Sequence, residues 1–110
     1  MILLTVSRKT ISIRDEFRVS DKDPRRHPCY VFAQIDNDMI FFVITHMYKN
    51  NCVKLINKLN PDDPRDSYFV TTPQRQHKST LRKTKINYIL SQEDIEQIKP
   101  YMEIPAKRTK

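Results

Sequence analysis

Four groups of polar side chains stand at the ends of apolar runs or in the loops beside them: Arg25–Arg26–His27, Thr45–His46, Arg65–Asp66–Ser67, and Arg75 with His77. Such residues suit one reaction in particular. RNA cleavage without a metal needs a base for the 2′-hydroxyl proton, an acid for the leaving oxygen and cations on the phosphate, and His, Arg and Thr can supply all three. His27 is the first candidate base, because the flanking Arg25 and Arg26 disfavour another positive charge on its ring. A lone loop histidine is more often a bystander than a base. In a straight strand Thr45 and His46 project to opposite faces, so only one of them would face a shared groove. A Thr that closes an apolar strand also has an ordinary structural role. In Arg65–Asp66–Ser67 the acid or hydroxyl can equally close a local turn.

Between residues 73 and 85 the chain carries Arg75, Lys78, Arg82, Lys83 and Lys85 with no acidic residue. A solvated loop would look like this, and so would a track for phosphates. Gln74, Gln76, His77, Ser79 and Thr80 are interleaved with those cations and can hydrogen-bond bases or sugars, which favours a nucleic-acid surface. The whole chain agrees in sign: 20 Lys and Arg against 13 Asp and Glu leave a net charge of +7. Charge alone would admit nucleic acid, a membrane surface or an acidic protein. Its placement beside base-pairing side chains selects nucleic acid, with RNA ahead of DNA.

Composition removes several other classes. Glycine is absent, so no glycine loop cradles a nucleotide. The only cysteines are Cys29 and Cys52; neither has a second Cys or His at metal-ligand spacing, and both are expected to be reduced structural thiols. No metal or cofactor is expected. The longest apolar stretch, Met39 to Ile44, is far short of the roughly 20 residues that cross a bilayer. Met1 to Leu4 lacks the flanks of a signal peptide, so a cytoplasmic protein whose mature chain starts at Met1 is expected. With 110 residues the chain has room for one domain, placed at residues 1–102, with a basic, frayed tail at 103–110.

The elements that would position these groups are mostly strands. Ile2 to Val6 reads as a first strand, and the proline- and charge-rich stretch 18–28 as an exposed loop. Cys29 to Ile35 and Met39 to His46 form the clearest pair, a β-hairpin turning at Asp36–Asn37–Asp38. Ile40, Phe42 and Ile44 alternate with Phe41, Val43 and Thr45, so this second strand needs cover on both faces, which points to a homodimer. Shorter strands follow at Val53 to Ile56 and Ser67 to Thr72, with turns at Asn50–Asn51 and over residues 60–64. Ser91 caps a helix whose first turn holds Glu93 and Asp94, whose apolar spacing is Ile95, Ile98 and Met102, and which Pro100 ends or kinks. The expected fold class is mainly β (α+β), and several short strands at this spacing suit a small barrel with a C-terminal helix.

Taken in order, these features resemble the MazF/PemK/Kid family of toxin endoribonucleases. That pattern has a loop ending in Arg-Pro before an aliphatic strand, similar to Arg26–His27–Pro28–Cys29–Tyr30–Val31–Phe32. Phe42–Val43–Ile44–Thr45 looks like its next strand, which ends in Thr or Ser, and Asp66–Ser67–Tyr68–Phe69–Val70 like a later one. Gln74–Arg75 resembles its basic loop, and Leu90–Ser91–Gln92–Glu93–Asp94 its closing helix. The likeness covers about residues 1–102 and rests on order and spacing rather than on any one motif.

The resemblance implies a dimeric SH3-like barrel of the MazF/PemK/CcdB type that cuts single-stranded RNA without metal, as the toxin of a toxin-antitoxin system. It assigns His27, Arg26, Thr45 and Arg75 to catalysis, and Arg25, His46, Ser67, His77, Lys78, Arg82, Lys83 and Lys85 to RNA binding. It also implies an antitoxin, either an acidic protein or an RNA, since ToxN and AbiQ toxins are kin. Three departures stand out: His27 replaces the Arg before Pro, the usual Gly-Asp/Glu start is missing, and so is the glycine-rich loop after it. Two other classes stay open, a non-catalytic nucleic-acid binder using aromatics such as Tyr48 and Tyr68, and a CcdB-like inhibitor of a protein target.

Overall fold

The computed structural model describes residues 2–4, 17–18, 27–83 and 90–109. Its centre is the expected hairpin, β3 (Cys29–Ile35) and β4 (Asp38–Thr45). β-Branched and aromatic residues dominate both strands and fit a pleated, buried surface. The turn is shorter than the sequence indicates: Ile35 pairs directly with Asp38, leaving Asp36 and Asn37 as a two-residue loop. Asp36 takes φ 51°, a left-handed conformation that favours glycine but that Asp tolerates. Asp38 thereby belongs to the strand, where its carboxylate is buried.

β4 is the strand that the rest of the molecule is built on. One edge pairs antiparallel with β3, which pairs in turn with β1 (Ile2–Leu4). The other edge is divided. Its Asp38 to Phe41 half pairs with β7 (Gln74–His77), and its Ile44–Thr45 end pairs with β6 (Tyr68–Val70). β6 also pairs with β5 (Cys52–Lys54). A separate two-stranded ladder joins β2 (Phe17–Arg18) to β8 (Arg82–Lys83). The molecule is thus mainly β and antiparallel, and among the described residues the strands do not close into a ring.

Every residue of β4 is buried, as two apolar faces require, and the cover comes from within the chain. Ile40, Phe42 and Ile44 enter a core with Tyr30, Phe32, Leu55, Leu59, Phe69, Leu90, Ile95 and Ile98. Phe42 lies at its centre, 5.0 Å from the Phe32 ring and 6.0 Å from that of Phe69. Burial there pushes the Tyr30 phenol up to about 12. Met39, Phe41 and Val43 pack on the opposite face with Cys29, Val31 and Leu81. The homodimer inferred from these faces loses that premise, since one chain fills both. Cys29 and Cys52 are buried and no disulfide joins them.

The helix, α1 (Gln92–Ile98), starts where Ser91 accepts a hydrogen bond from the Asp94 backbone N–H at 3.1 Å. Pro100 ends it in a 3-10 turn over Lys99–Tyr101. Asp94 is fully buried and ties the helix to the segment after β5. Its two carboxylate oxygens accept the backbone N–H groups of Ile56 at 2.6 Å and Asn57 at 3.1 Å, and the Ser91 hydroxyl donates at 2.8 Å. The tail at 103–110, expected to be frayed, instead reaches the free edge of β7 through Thr109. Thr109 N–H donates to the Arg75 carbonyl at 2.8 Å, and the Thr109 hydroxyl accepts from Arg75 N–H at 3.2 Å. A polar strand edge supplied the partners that composition alone did not show.

Candidate nucleic-acid interface

The Thr45 end of β4 gathers polar residues from three strands onto one face. Cys29 pairs with Val43, and the Ile44 N–H donates to the Pro28 carbonyl at 3.0 Å. His27 is the residue before Pro28 and lies just outside β3, at the same end of the sheet. Cys29 Sγ donates to the His27 carbonyl at 3.6 Å, fixing the backbone where the strand begins. Beyond Thr45 the register continues to Tyr68 and then to Lys54. Side chains alternate along strands, so Thr45, Tyr68 and Lys54 share the face that carries Cys29, Val31, Phe41 and Val43. They form a polar row across the end of an apolar face, about 10 Å from first to last, with His27 at the same end of the sheet.

Thr45 is 7% exposed, and its Oγ1 accepts the Met47 backbone N–H at 3.1 Å. That bond turns the chain out of β4 and uses the hydroxyl as an acceptor, which leaves its proton for another partner. Tyr68 holds the ring of Tyr48 edge-on, 5.6 Å away at 65°. Lys54 lies 3.4 Å from Asp66 Oδ2, a pair largely open to solvent, hence weakly held.

His46, the next residue, turns away from the row, as alternation requires. Its Nδ1 lies 3.1 Å from the Asp66 carbonyl and its Nε2 3.5 Å from Asp63 Oδ2. A carbonyl only accepts, so in the neutral ring the proton sits on Nδ1. Arg65 grips Asp63 through Nε at 3.0 Å and Nη2 at 2.8 Å, and those bonds hold its carboxyl well below the usual carboxylate range. Of the triplet expected to bear function, Arg65 and Asp66 thus secure the loop that His46 braces. Ser67 is 2% exposed, with its carbonyl bonded to Leu55 N–H; it sits on the core side, and the RNA contact assigned to it has no surface to act from.

Arg75 is at the wrong end for the catalytic set. It pairs with Ile40, five residues before Thr45, about 17 Å along the strand. Its Nε donates to Asp38 Oδ2 at 2.8 Å and its Nη1 to the Pro105 carbonyl at 2.9 Å. Arg108 donates to the other Asp38 oxygen at 2.9 Å. Hydrogen bonds from Arg108 and then Arg75 hold the Asp38 carboxyl below its ordinary value. Arg75 therefore closes a structural clamp rather than facing a phosphate beside His27. His77 is equally remote: its Nδ1 accepts Ser79 N–H at 3.1 Å and so caps the short 3-10 turn Lys78–Thr80. Lys78 is exposed at that same end.

Arg82 and Lys83 lie on β8, outside the sheet that holds the row. Arg25, Arg26 and Lys85 lie outside the described residues. Sequence reasoning missed Asp63, the brace on His46, and Asp38 with Arg108, the clamp; an acid in a turn gives no sign of a partner distant in the chain. Asp94 stood three residues after a capping Ser, a spacing that did mark it. Among the described residues no three His, Cys, Asp or Glu side chains cluster to hold a metal, and no helix is long and apolar enough to cross a membrane. Comparison with protein-family models, with curated proteins and with solved structures finds no match to the chain.

Proposed function

We propose that this protein is an RNA-directed toxin of the MazF/PemK kind, cutting single-stranded RNA without metal at the Thr45 end of the sheet. The observation that supports the reading is the row Thr45, Tyr68 and Lys54, a hydroxyl, an aromatic ring and a cation in register, with His27 just before β3 at the same end of the sheet. In this scheme the His27 ring takes the proton from a ribose 2′-hydroxyl as the 2′-oxygen bonds to phosphorus. The bond from phosphorus to the 5′-oxygen breaks, that oxygen takes up a proton, and the products are a 2′,3′-cyclic phosphate and a 5′-hydroxyl. Thr45 donates to a phosphate oxygen, and Lys54 supplies charge. Arg26, next to His27 in the chain, keeps its place as phosphate ligand, whereas Arg75 does not.

The fold reading belongs to the same proposal. A strand that shares one edge between β6 and β7 is how a bent strand serves two halves of a small barrel, and this supports an SH3-like barrel. A cytoplasmic site of action, a homodimer and an acidic or RNA antitoxin follow from the family likeness, and the net charge of +7 suits either antitoxin.

Incubating the protein with a long single-stranded RNA in EDTA, beside His27→Ala, tests the reaction. Discrete fragments with cyclic-phosphate ends are expected, with the rate falling about 10²- to 10⁴-fold in the variant. Intact RNA that is nevertheless bound would favour the second reading, a binder without catalysis. The burial of Thr45 and its bond to Met47 N–H are what speak for that alternative.

A further inference from the structure

We infer that Tyr48, steadied by Tyr68, is a stacking site for one unpaired nucleobase of the RNA, set at the Thr45 end of β4. The inference rests on the reading of this sheet end as an RNA site and adds to it the part of the substrate that is held.

The loop after β4 leaves large apolar groups in water, with Met47 57% and Tyr48 67% exposed. An exposed ring is ordinarily free to rotate, but this one is positioned. Tyr68 meets it edge-on at 5.6 Å, and Tyr68 is itself fixed in β6, paired to Thr45 on one side and Lys54 on the other. The loop carrying Tyr48 is closed at both ends, by Met47 N–H on Thr45 Oγ1 at 3.1 Å and by Cys52 N–H on the Lys49 carbonyl at 3.0 Å. Thr71 draws the far side in, donating from both its N–H and its hydroxyl to the Asn51 carbonyl at 2.8 and 3.0 Å. A ring ordered before binding loses little freedom when a flat ligand settles on it.

The chemistry of the surround selects the ligand. Exposed Lys49 and Lys54 flank the tyrosines, so a base on the Tyr48 face would have cations within reach of the phosphates on either side of it. Every base presents a π-face, and an aromatic ring beside a cationic track is how single strands are held without sequence readout. A protein partner fits less well. A stable interface buries about 800 Å² on each side, whereas aromatic side chains offer about 150 to 250 Å² each. Met47 and Tyr48 are too small a patch for the first and ample for one base.

The test is fluorescence anisotropy with a labelled 2′-O-methyl oligonucleotide, which the proposed reaction cannot cut, and with versions carrying one abasic position scanned along it. Tyr48→Ala should weaken binding about tenfold or more, and Tyr48→Phe should stay within about twofold of the parent. At one position the abasic strand should reproduce that loss in the parent protein and add nothing in Tyr48→Ala. Tyr48→Ala binding as tightly as the parent, or an equal penalty at every abasic position, would overturn the stacking site while cleavage at His27 still stood. A parent protein that neither binds nor cuts RNA would overturn both readings. If Tyr48→Ala leaves RNA affinity intact and instead turns a dimer into a monomer by mass, the patch is a contact between copies and the inference is wrong.

Discussion

The two ends of β4 handle their charges in opposite ways. At the Asp38 end, one carboxylate is gripped by two arginines and lies 9% exposed, with the Arg75 side chain 19% exposed. At the Thr45 end, Lys54 and its partner Asp66 are 61% and 41% exposed, and a tyrosine ring is left in solvent beside them. Charges at the first end satisfy one another and fasten the tail to β7. Lys54 and Asp66 at the second are held loosely enough to be exchanged for a ligand, since an exposed ion pair contributes little and gives way readily. A basic residue therefore marks a binding surface only where the fold leaves it without a committed partner, and Arg75 shows the error of reading charge from sequence alone.

Paired substitutions break this comparison most directly. His27→Ala should lower RNA cleavage about 10²- to 10⁴-fold, while Arg75→Ala, at a temperature where both variants are folded, should leave cleavage intact and loosen the tail. Rates of fragment release from one RNA, measured side by side, decide it. Loss of cleavage in both would return Arg75 to the catalytic set and mean that the two ends of the strand meet across the bound RNA.

The middle of the molecule was legible because its pattern is redundant. Residues 29–35 and 39–46 alternate or run apolar, the Asp-Asn turn sits between them, and the double-sided burial of β4 follows from its composition. The helix was equally plain, through Ser91, the acids after it and Pro100. β7 was not. Gln74–Arg75–Gln76–His77 has weak strand propensity, no apolar face and a loop-like composition, and it becomes a strand only because β4 offers Asp38 to Phe41 as partners. At the site, His27, Thr45 and Tyr68 could be singled out in the sequence, yet the meeting of Thr45 with Tyr68 depends on register. The division of the expected set between two strand ends depends on which half of β4 each later strand selects.

The clamp gives a smaller and sharper test. Arg108→Ala removes one of the two cations on Asp38, and hydrogen exchange at the Arg75 amide, bonded to Thr109 Oγ1, should quicken about tenfold or more. RNA affinity at the other end should not change. Unaltered exchange would show that the tail is held by its backbone bonds alone.

Acid and salt separate the ends further. The Asp38 carboxyl is lowered in the folded protein, so on acidification the unfolded chain takes up its proton first. The stability it contributes is present above the unfolded value near 3.9 and is lost as pH falls through the lower folded value. Protection of the Arg75 amide should accordingly hold down to about pH 4 and fail below it. High salt should weaken RNA binding steeply, by releasing counterions, while leaving that protection nearly untouched, because a buried pair is screened far less than an exposed one. Loss of protection in salt at neutral pH would make Asp38 a surface pair after all.

The smallest expected signal lies in two histidine rings. His46, at the Thr45 end, faces a carbonyl with Nδ1, so its neutral form carries the proton on Nδ1 and leaves Nε2 toward Asp63. His77, at the Asp38 end, receives the Ser79 N–H on Nδ1, so its neutral form carries the proton on Nε2. Nitrogen-15 shifts of the two rings at alkaline pH should therefore be mirror images, Nδ1 pyrrole-like in His46 and Nε2 pyrrole-like in His77. Matching tautomers would mean that one of these Nδ1 bonds is not kept. If His46 carries its proton on Nε2, that nitrogen donates to Asp63, the Nδ1 bond to the Asp66 carbonyl is lost, and the brace on the 60–66 loop rests on the carboxylate.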